Sequence, residues 1–219
     1  PSLIPIETNS KYPPLLQGLS LKNVSIRILD NAGKTIYSDF GEMMFTHFGI
    51  TGPLILSASA HIPDINRVSY EAQIDLKPAL DEEILRARIA REVAEMGPEE
   101  FFAELVRRLV PKPLVVPICK ELDVHSRLYI SKVSDKEFER LIKVLKRWSF
   151  PITDYASFDY AIVTAGGVKC SEVNEYTMES KLIKGLYFAG EVLDIDANTG
   201  GYNLQIAFST GHLAGLLKK

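Results

Sequence analysis

The residues of this chain best suited to chemistry lie near its end: Gly190-Glu191, then Asp194, Asp196 and Asn198, then Gly200-Gly201. The run before them, Gly185-Leu186-Tyr187-Phe188-Ala189-Gly190, is short and nearly all apolar, the pattern of a strand buried on both faces. Such a strand would deliver Gly190 and Glu191 to its carboxyl end, where open α/β sheets bind ligands. The double glycine lets backbone approach a ligand closely before a final helix, expected over Tyr202–Leu217. The unpaired N–H groups and partial positive charge of a helix start suit an electron-rich oxygen. Ala207, Gly211, Ala214 and Gly215 would let that helix pack very close to a neighbour. A purely structural strand-loop-helix with a glycine-rich turn uses the same order, and spacing alone leaves both readings open.

Other reactive types are scattered. His47, between Thr46 and Phe48 and just before Gly49 and Pro53, is of the residue type that could face a substrate as a proton donor. The commoner fate of such a histidine is to be packed or solvated. His61, His125 and His212 have no spacing for a metal site, and Cys119 and Cys170 form no C-x-x-C, so no metal is expected. Cys170, near Gly167, is a redox thiol on one reading and a small hydrophobe on the more ordinary one. Lys136, Arg140, Lys143, Lys146 and Arg147 share a helix with Asp135, Glu137 and Glu139. That mixture reads as a solvated amphipathic face rather than a nucleic-acid surface.

These groups need a scaffold. The first 78 residues read as β. Val24–Ile28 alternates, Asp30-Asn31-Ala32-Gly33 is a turn signal, and Lys34–Tyr37 resumes a strand, so a hairpin is expected. Arg67–Leu76 alternates again, with Val68, Tyr70, Ala72, Ile74 and Leu76 on one face. Pro53 fits the first position of a short helix. Residues 79–149 read as helical. Asp81 caps a helix bearing Leu85, Ile89, Val93 and Met96, and Gly97-Pro98 ends it. Phe101, Phe102, Leu105 and Leu109 mark a second helix, stopped by Pro111, and Pro111, Pro113 and Pro117 punctuate a connector. Ser134–Glu137 is a capping box opening a third helix, with Phe138, Leu141, Ile142, Leu145 and Trp148 on one face. Asp159–Thr164 is expected to return as a strand before Gly166-Gly167. The fold class expected is α+β: a β barrel-like or sandwich domain (1–78 and 150–165), an inserted helical domain (79–149) and a tail (166–219) belonging to an α/β layer.

Composition sets the bounds. With 219 residues, 25 Lys+Arg against 28 Asp+Glu and a net charge of −3, the chain is ordinary for a globular protein and lacks the basic excess of a nucleic-acid binder. Two cysteines cannot build a disulfide framework, so a reducing compartment, the cytoplasm, is expected. No run is long enough to span a bilayer, and no charged-then-apolar leader opens the chain. It begins at Pro1 and runs straight into an extended segment, which reads as a piece of something longer or a processed chain.

Four tail motifs go further: Thr164-Ala165-Gly166-Gly167-Val168, Thr177–Lys181, Gly185–Glu191 and Thr199-Gly200-Gly201-Tyr202-Asn203-Leu204-Gln205. Together with Phe45–Pro53 and the opening Pro1–Pro5, they resemble the bacterial FAD-dependent oxidoreductases of the bile-acid-reductase-like family, also labelled aminoacetone-oxidase-like. The resemblance implies that the tail is the carboxy-terminal strand-loop-helix of a two-domain FAD-binding fold. It implies that Gly190 and Glu191 lie along the ribityl and pyrophosphate part of FAD, with Asp194 beside them. It places backbone N–H groups of Gly200, Gly201, Tyr202, Asn203 and Leu204 at the pyrimidine side of the flavin, and lets Gly166 and Gly167 turn near the ring. It further implies hydride transfer between NAD(P)H, flavin and a small organic substrate. The family also uses an amino-terminal dinucleotide-binding part with a G-x-G-x-x-G loop. No two glycines here start that spacing. The chain is therefore expected to be the carboxy-terminal half of such an enzyme, with that amino-terminal part as partner, no nucleic acid and no membrane. On its own it would be inactive and hold FAD weakly or not at all. A non-catalytic binding module with a structural Gly-rich tail is the alternative.

Overall fold

The computed structural model describes residues 1–62, 65 and 67–216. Among these residues, seven strands form one antiparallel sheet: β1 (Ile6–Glu7), β2 (Ser20–Leu29), β3 (Thr35–Phe45), β4 (Gly49–Thr51), β5 (Tyr70–Asp75), β6 (Trp148–Ile152) and β7 (Asp154–Tyr155). Their order is β6-β5-β2-β3-β4-β1-β7. The two outer strands are consecutive in the chain, joined through Thr153. β6 pairs with β5, β7 pairs with β1, and the Thr153 N–H donates to the Glu7 carbonyl at 3.0 Å. One continuous run of chain thus closes the sheet into a barrel, which removes its edges.

The strands follow their side chains. In β5, Tyr70, Ala72 and Ile74 point inward opposite Ile152, Phe150 and Trp148 of β6, so small Ala72 leaves room for the Phe150 ring. Tyr12, Phe45, Trp148 and Phe150 make an aromatic centre with ring centroids 4.9 to 6.2 Å apart. The β2–β3 hairpin forms as expected. Asp30 Oδ1 accepts from the Ala32 and Lys34 N–H groups, and Gly33 takes the positive φ of 77°. α1 (Pro53–Ser59) starts on its proline.

Four helices lie between sheet neighbours β5 and β6: α2 (Glu82–Glu95), α3 (Phe102–Leu109), α4 (Val115–Glu121) and α5 (Asp135–Lys146). Asp81 caps α2, and the Ser134–Glu137 capping box opens α5. Leu85, Ile89, Phe102, Leu105, Leu141 and Leu145 belong to the same buried cluster as the barrel interior. Lys146 fastens the joint: its ammonium lies 2.6 Å from Asp75 and donates to the Lys77 and Leu80 carbonyls.

Several elements depart from the pattern reading. The proline-rich connector contains a helix, α4, because Pro117 falls in its first turn, where its missing N–H would have no partner. Trp148, placed by periodicity on the α5 face, is instead the first residue of β6. Asp159–Thr164 is not a strand. A 3-10 turn covers Phe158–Tyr160, and pairing is limited to Ile162 and Val163 against Ser2 and Leu3, since the partner segment bends at Leu3 with φ 51°. Gly185–Gly190 is no strand either. The Phe188 N–H donates to the Met178 carbonyl and the Leu186 carbonyl accepts from the Ser180 N–H, but its other N–H groups donate to the Glu179 carboxylate, the Ile183 carbonyl and the Thr210 hydroxyl, and no described strand flanks it in parallel. The last helix, α6 (Tyr202–Gly215), matches the expectation at its start, while the expected end at Leu217 lies outside the described residues. The tail has its own small cluster, Val173, Met178 and Leu193, packed by Val168, Phe188 and Leu213.

Candidate functional site

Barrel and tail meet across a cleft of about 430 Å³. Leu3 and Leu56 line it from the barrel, Ile162 to Thr164 from the chain leaving it, and Gly190, Glu191, Thr199 to Gly201, Asn203 and Leu204 from the tail. Most of the expected tail residues therefore converge on one cavity, though they are far apart from the barrel residues in sequence.

The buried serines of the barrel side position the tail loop. The Ser57 hydroxyl of α1 lies 3.1 Å from the Thr199 hydroxyl and accepts from the Thr199 N–H at 3.4 Å. Ser2 donates to the Asp196 carboxylate at 2.6 Å. Ser59 accepts from the Ile4 N–H at 2.9 Å and donates to the Leu56 carbonyl at 2.7 Å, fixing both barrel segments that wall the cleft. A buried hydroxyl is stable only with such partners. From the other side, the Asn203 amide grips Ala197 at both N–H (2.9 Å) and carbonyl (2.7 Å). The Asp196–Gly200 loop is thus held at both flanks.

Beyond the loop, Gly200 and Gly201 have φ of 117° and 90°, a region L side chains rarely adopt. Gly201 is the N-cap of α6 and no side chain caps the helix, so its first N–H groups begin on the cleft wall. Glu191 is oriented by Thr164, whose N–H (2.6 Å) and hydroxyl (2.8 Å) both donate to Oε1. Those bonds, the backbone one foremost, hold its carboxyl below the usual carboxylate range, so it is an anion at neutral pH. The Gly190 N–H donates to the Thr210 hydroxyl of α6 at 2.9 Å, which ties the start of the loop to the helix.

The remaining expected residues sit elsewhere. Gly167 does not line the cleft. A Cβ there would run into the Val192 carbonyl where Val168 bridges Leu193, so its smallness serves backbone packing. Gly166 has a positive φ of 88° in open surroundings. Asp194 is exposed beside Val168, its N–H donating to the Val168 carbonyl at 2.8 Å. Tyr202 is exposed, with its ring close over Gly200. His47 lies in a separate cavity with Phe48 and Tyr160, not in the cleft. Ser2, Ser57 and Thr199 were not singled out by the sequence. The one signal was Ser57 and Ser59 interrupting the apolar run of α1. Among the described residues, no group of three or more His, Cys, Asp or Glu could hold a metal ion, and no helix is long and apolar enough to cross a membrane.

The model of the HI0933-like protein barrel and H2TH domain matches residues 1–163, the barrel with its helical insertion. A ribosomal RNA dihydrouridine synthase of Haemophilus influenzae is 33% identical over 219 residues, which is 98% of this chain and 50% of the relative. A 3-dehydro-bile acid delta(4,6)-reductase of Clostridium scindens is 32% identical over 184 residues, 83% of this chain and 45% of the relative. A ribosomal RNA dihydrouridine synthase of Escherichia coli is 29% identical over 201 residues, covering 91% and 48%. The chain spans about half the length of these curated relatives. By its matched barrel and helices, and by relatives that extend through the tail motifs, the chain belongs to the HI0933-like family.

Proposed function

We propose that this chain forms the barrel, the helical unit and the flavin-ring side of a longer FAD-dependent oxidoreductase linked to NADH or NADPH. The observation that carries this is the uncapped α6 start at left-handed Gly201, on the wall of a cleft shared by barrel and tail. FAD, when bound, supplies hydride transfer. The residues present fit its flavin end: glycines that allow close approach, N–H groups for ring oxygens, a fixed carboxylate and apolar walls. They do not fit its adenine end, since no glycine-rich phosphate loop is present.

The chain's own residues would then divide the work. The N–H groups after Gly201 would face the pyrimidine edge, where a reduced flavin carries negative charge. Glu191, with Oε1 already held by Thr164, would accept from a ribityl hydroxyl, and Gly190 would leave space for that chain. Leu3, Leu56 and Ile162 would exclude water from the ring. Gly166 and Asp194 would lie at the margin. An amino-terminal dinucleotide-binding part would cover the tail. In support, the largest exposed apolar side chains concentrate there, with Tyr176 78% and Phe208 68% exposed, and α6 buries no residue despite its apolar composition.

The names of the relatives describe a synthase of dihydrouridine and a delta(4,6)-reductase, and saturating a double bond in a flat ring is common to both. We assign a small organic ring as substrate, because a net charge of −3 gives no general attraction for nucleic acid. An RNA-borne ring is the competing reading, favoured by the similarity to the two synthases. Free Cys119 and Cys170 are consistent with work in the cytoplasm. The test is the visible spectrum of the full-length protein. Stoichiometric flavin absorbance, bleached anaerobically by NADH or NADPH, is expected. A folded full-length protein that binds no added FAD would overturn the proposal.

A further inference from the structure

A second cavity, about 350 Å³, lies by the turn that leads into β4. Its walls include Pro5, Met44, His47, Phe48, Thr51 and Tyr160. The two spaces are consecutive along one ribbon. Leu3 and Ile162 line the cleft, while Pro5 and Tyr160, each two residues away, line the second cavity. The ribbon is held together there by the Ile162 N–H donating to the Leu3 carbonyl at 3.1 Å and by the Ala156 N–H donating to the Pro5 carbonyl at 2.9 Å.

The turn presenting His47 is rigidly built. Thr46 Oγ1 accepts from the Gly49 N–H at 2.9 Å and the Phe48 N–H at 3.4 Å, and the Thr46 N–H donates to the Gly49 carbonyl at 2.9 Å. The Thr8 N–H donates to the Phe48 carbonyl at 3.1 Å. At Gly49 a Cβ would collide with the Ile6 carbonyl, so the turn seats directly on β1. What this framework displays is three rings. His47 stands edge-on to Phe48 with centroids 4.9 Å apart, and Phe48 lies 5.5 Å from Tyr160. His47 is exposed and its imidazole makes no hydrogen bond among the described residues, while Tyr160 is 51% exposed. Fixed aromatic faces beside an unengaged imidazole are the means to hold a flat ring and donate to an oxygen on its rim.

We propose that the His47–Phe48–Tyr160 cavity is the substrate subsite and takes a planar, conjugated ring carrying a carbonyl oxygen. One of the two aromatic faces, Phe48 or Tyr160, stacks on the ring while the other, inclined to it by 58°, meets its edge, and a nitrogen of His47 donates to the carbonyl. This assignment rests on the flavin reading above, which places the reducing group in the cleft lined two residues further along the same ribbon. Two sources supply such a ring: a 3-dehydro steroid and the uracil base of an RNA.

The experiment uses the full-length protein, wild type, His47→Gln and Tyr160→Ala, with circular dichroism as folding control. Equilibrium dialysis measures binding of a 3-dehydro-delta(4,6) bile acid in one arm and of a uridine-containing RNA oligonucleotide in the other. FAD affinity is measured separately. The expected result is that wild type binds the probe of one arm and each variant binds it at least tenfold more weakly, with FAD affinity unchanged. The arm that binds names the source. Variants that bind the probe as tightly as wild type, or a wild type that binds neither probe, would overturn the subsite. Variants that lose FAD along with the probe would overturn it too, since the residues would then serve the cofactor. A wild type that binds a probe through these residues but never FAD would leave the subsite standing and remove the flavin reading instead.

Discussion

At the scale of single residues, hydrogen bonds and burial decide behaviour. Glu191 holds its charge because Thr164 donates twice to one oxygen. A carboxyl lowered in the folded state contributes above its ordinary pKa of about 4.3 and loses that contribution as pH falls through the lowered value. The protection of the Thr164 amide, its exchange rate relative to that of an unstructured amide at the same pH, should therefore hold from neutral pH down to that window and fall below it. Glu191→Gln should lower that protection at neutral pH and remove its acid dependence. The two thiols contrast as well. Burial pushes the Cys119 thiol up to about 11, whereas Cys170 is exposed. A thiol reagent at pH 8 should titrate one fast cysteine in the folded protein and two after denaturation, and Cys170→Ser should abolish the fast one. Two equal fast reactions would show that the Cys119 site opens readily.

Among the elements, legibility followed from whether the signal is local. The hairpin at Asp30–Gly33, the Asp81 cap and the Ser134–Glu137 capping box are set by neighbours within four residues, and all were readable. So was α5, whose Leu141, Ile142 and Leu145 are buried. Leu145→Ala should cost about 2–5 kcal/mol, seen as a lowered thermal midpoint, because the side chain sits where α5 meets β5 and the Leu145 carbonyl accepts from the Leu76 N–H. An unmoved midpoint would mean that this face is not core. Elements that depend on distant partners misled. Gly185–Gly190 has the composition of a doubly buried strand, yet a strand also needs neighbours, and none of the described strands flanks it. Trp148 continues the α5 periodicity but obeys the barrel. Pro117 reads as a breaker and is tolerated because of where its helix starts. For the candidate site, the glycines and Glu191 were visible as types, while the serines that position them were not. Ser2 and Asp196 are 194 residues apart, and no local pattern joins them.

For the molecule as a whole, one core runs through barrel and helices, whereas the described tail residues form a small cluster and a broad apolar exposure. The chain taken alone should fold as a barrel with helices but lose FAD during purification, because the adenine end has no phosphate loop to hold it. A yellow sample with stoichiometric flavin would contradict this. The central claim is that the Gly200–Gly201 turn and the α6 start hold the flavin ring. Its most direct test is Gly201→Val in the full-length protein, measuring FAD affinity and flavin reduction potential against wild type, with circular dichroism as folding control. A Cβ at Gly201 meets no atom within 4 Å, so the substitution acts through its left-handed φ of 90°. Shifting the turn should break a charge-assisted hydrogen bond of about 1.5–3 kcal/mol, roughly one to two decades of affinity, and make the flavin harder to reduce. A well-folded variant with unchanged affinity and potential would contradict the account and leave the turn purely structural.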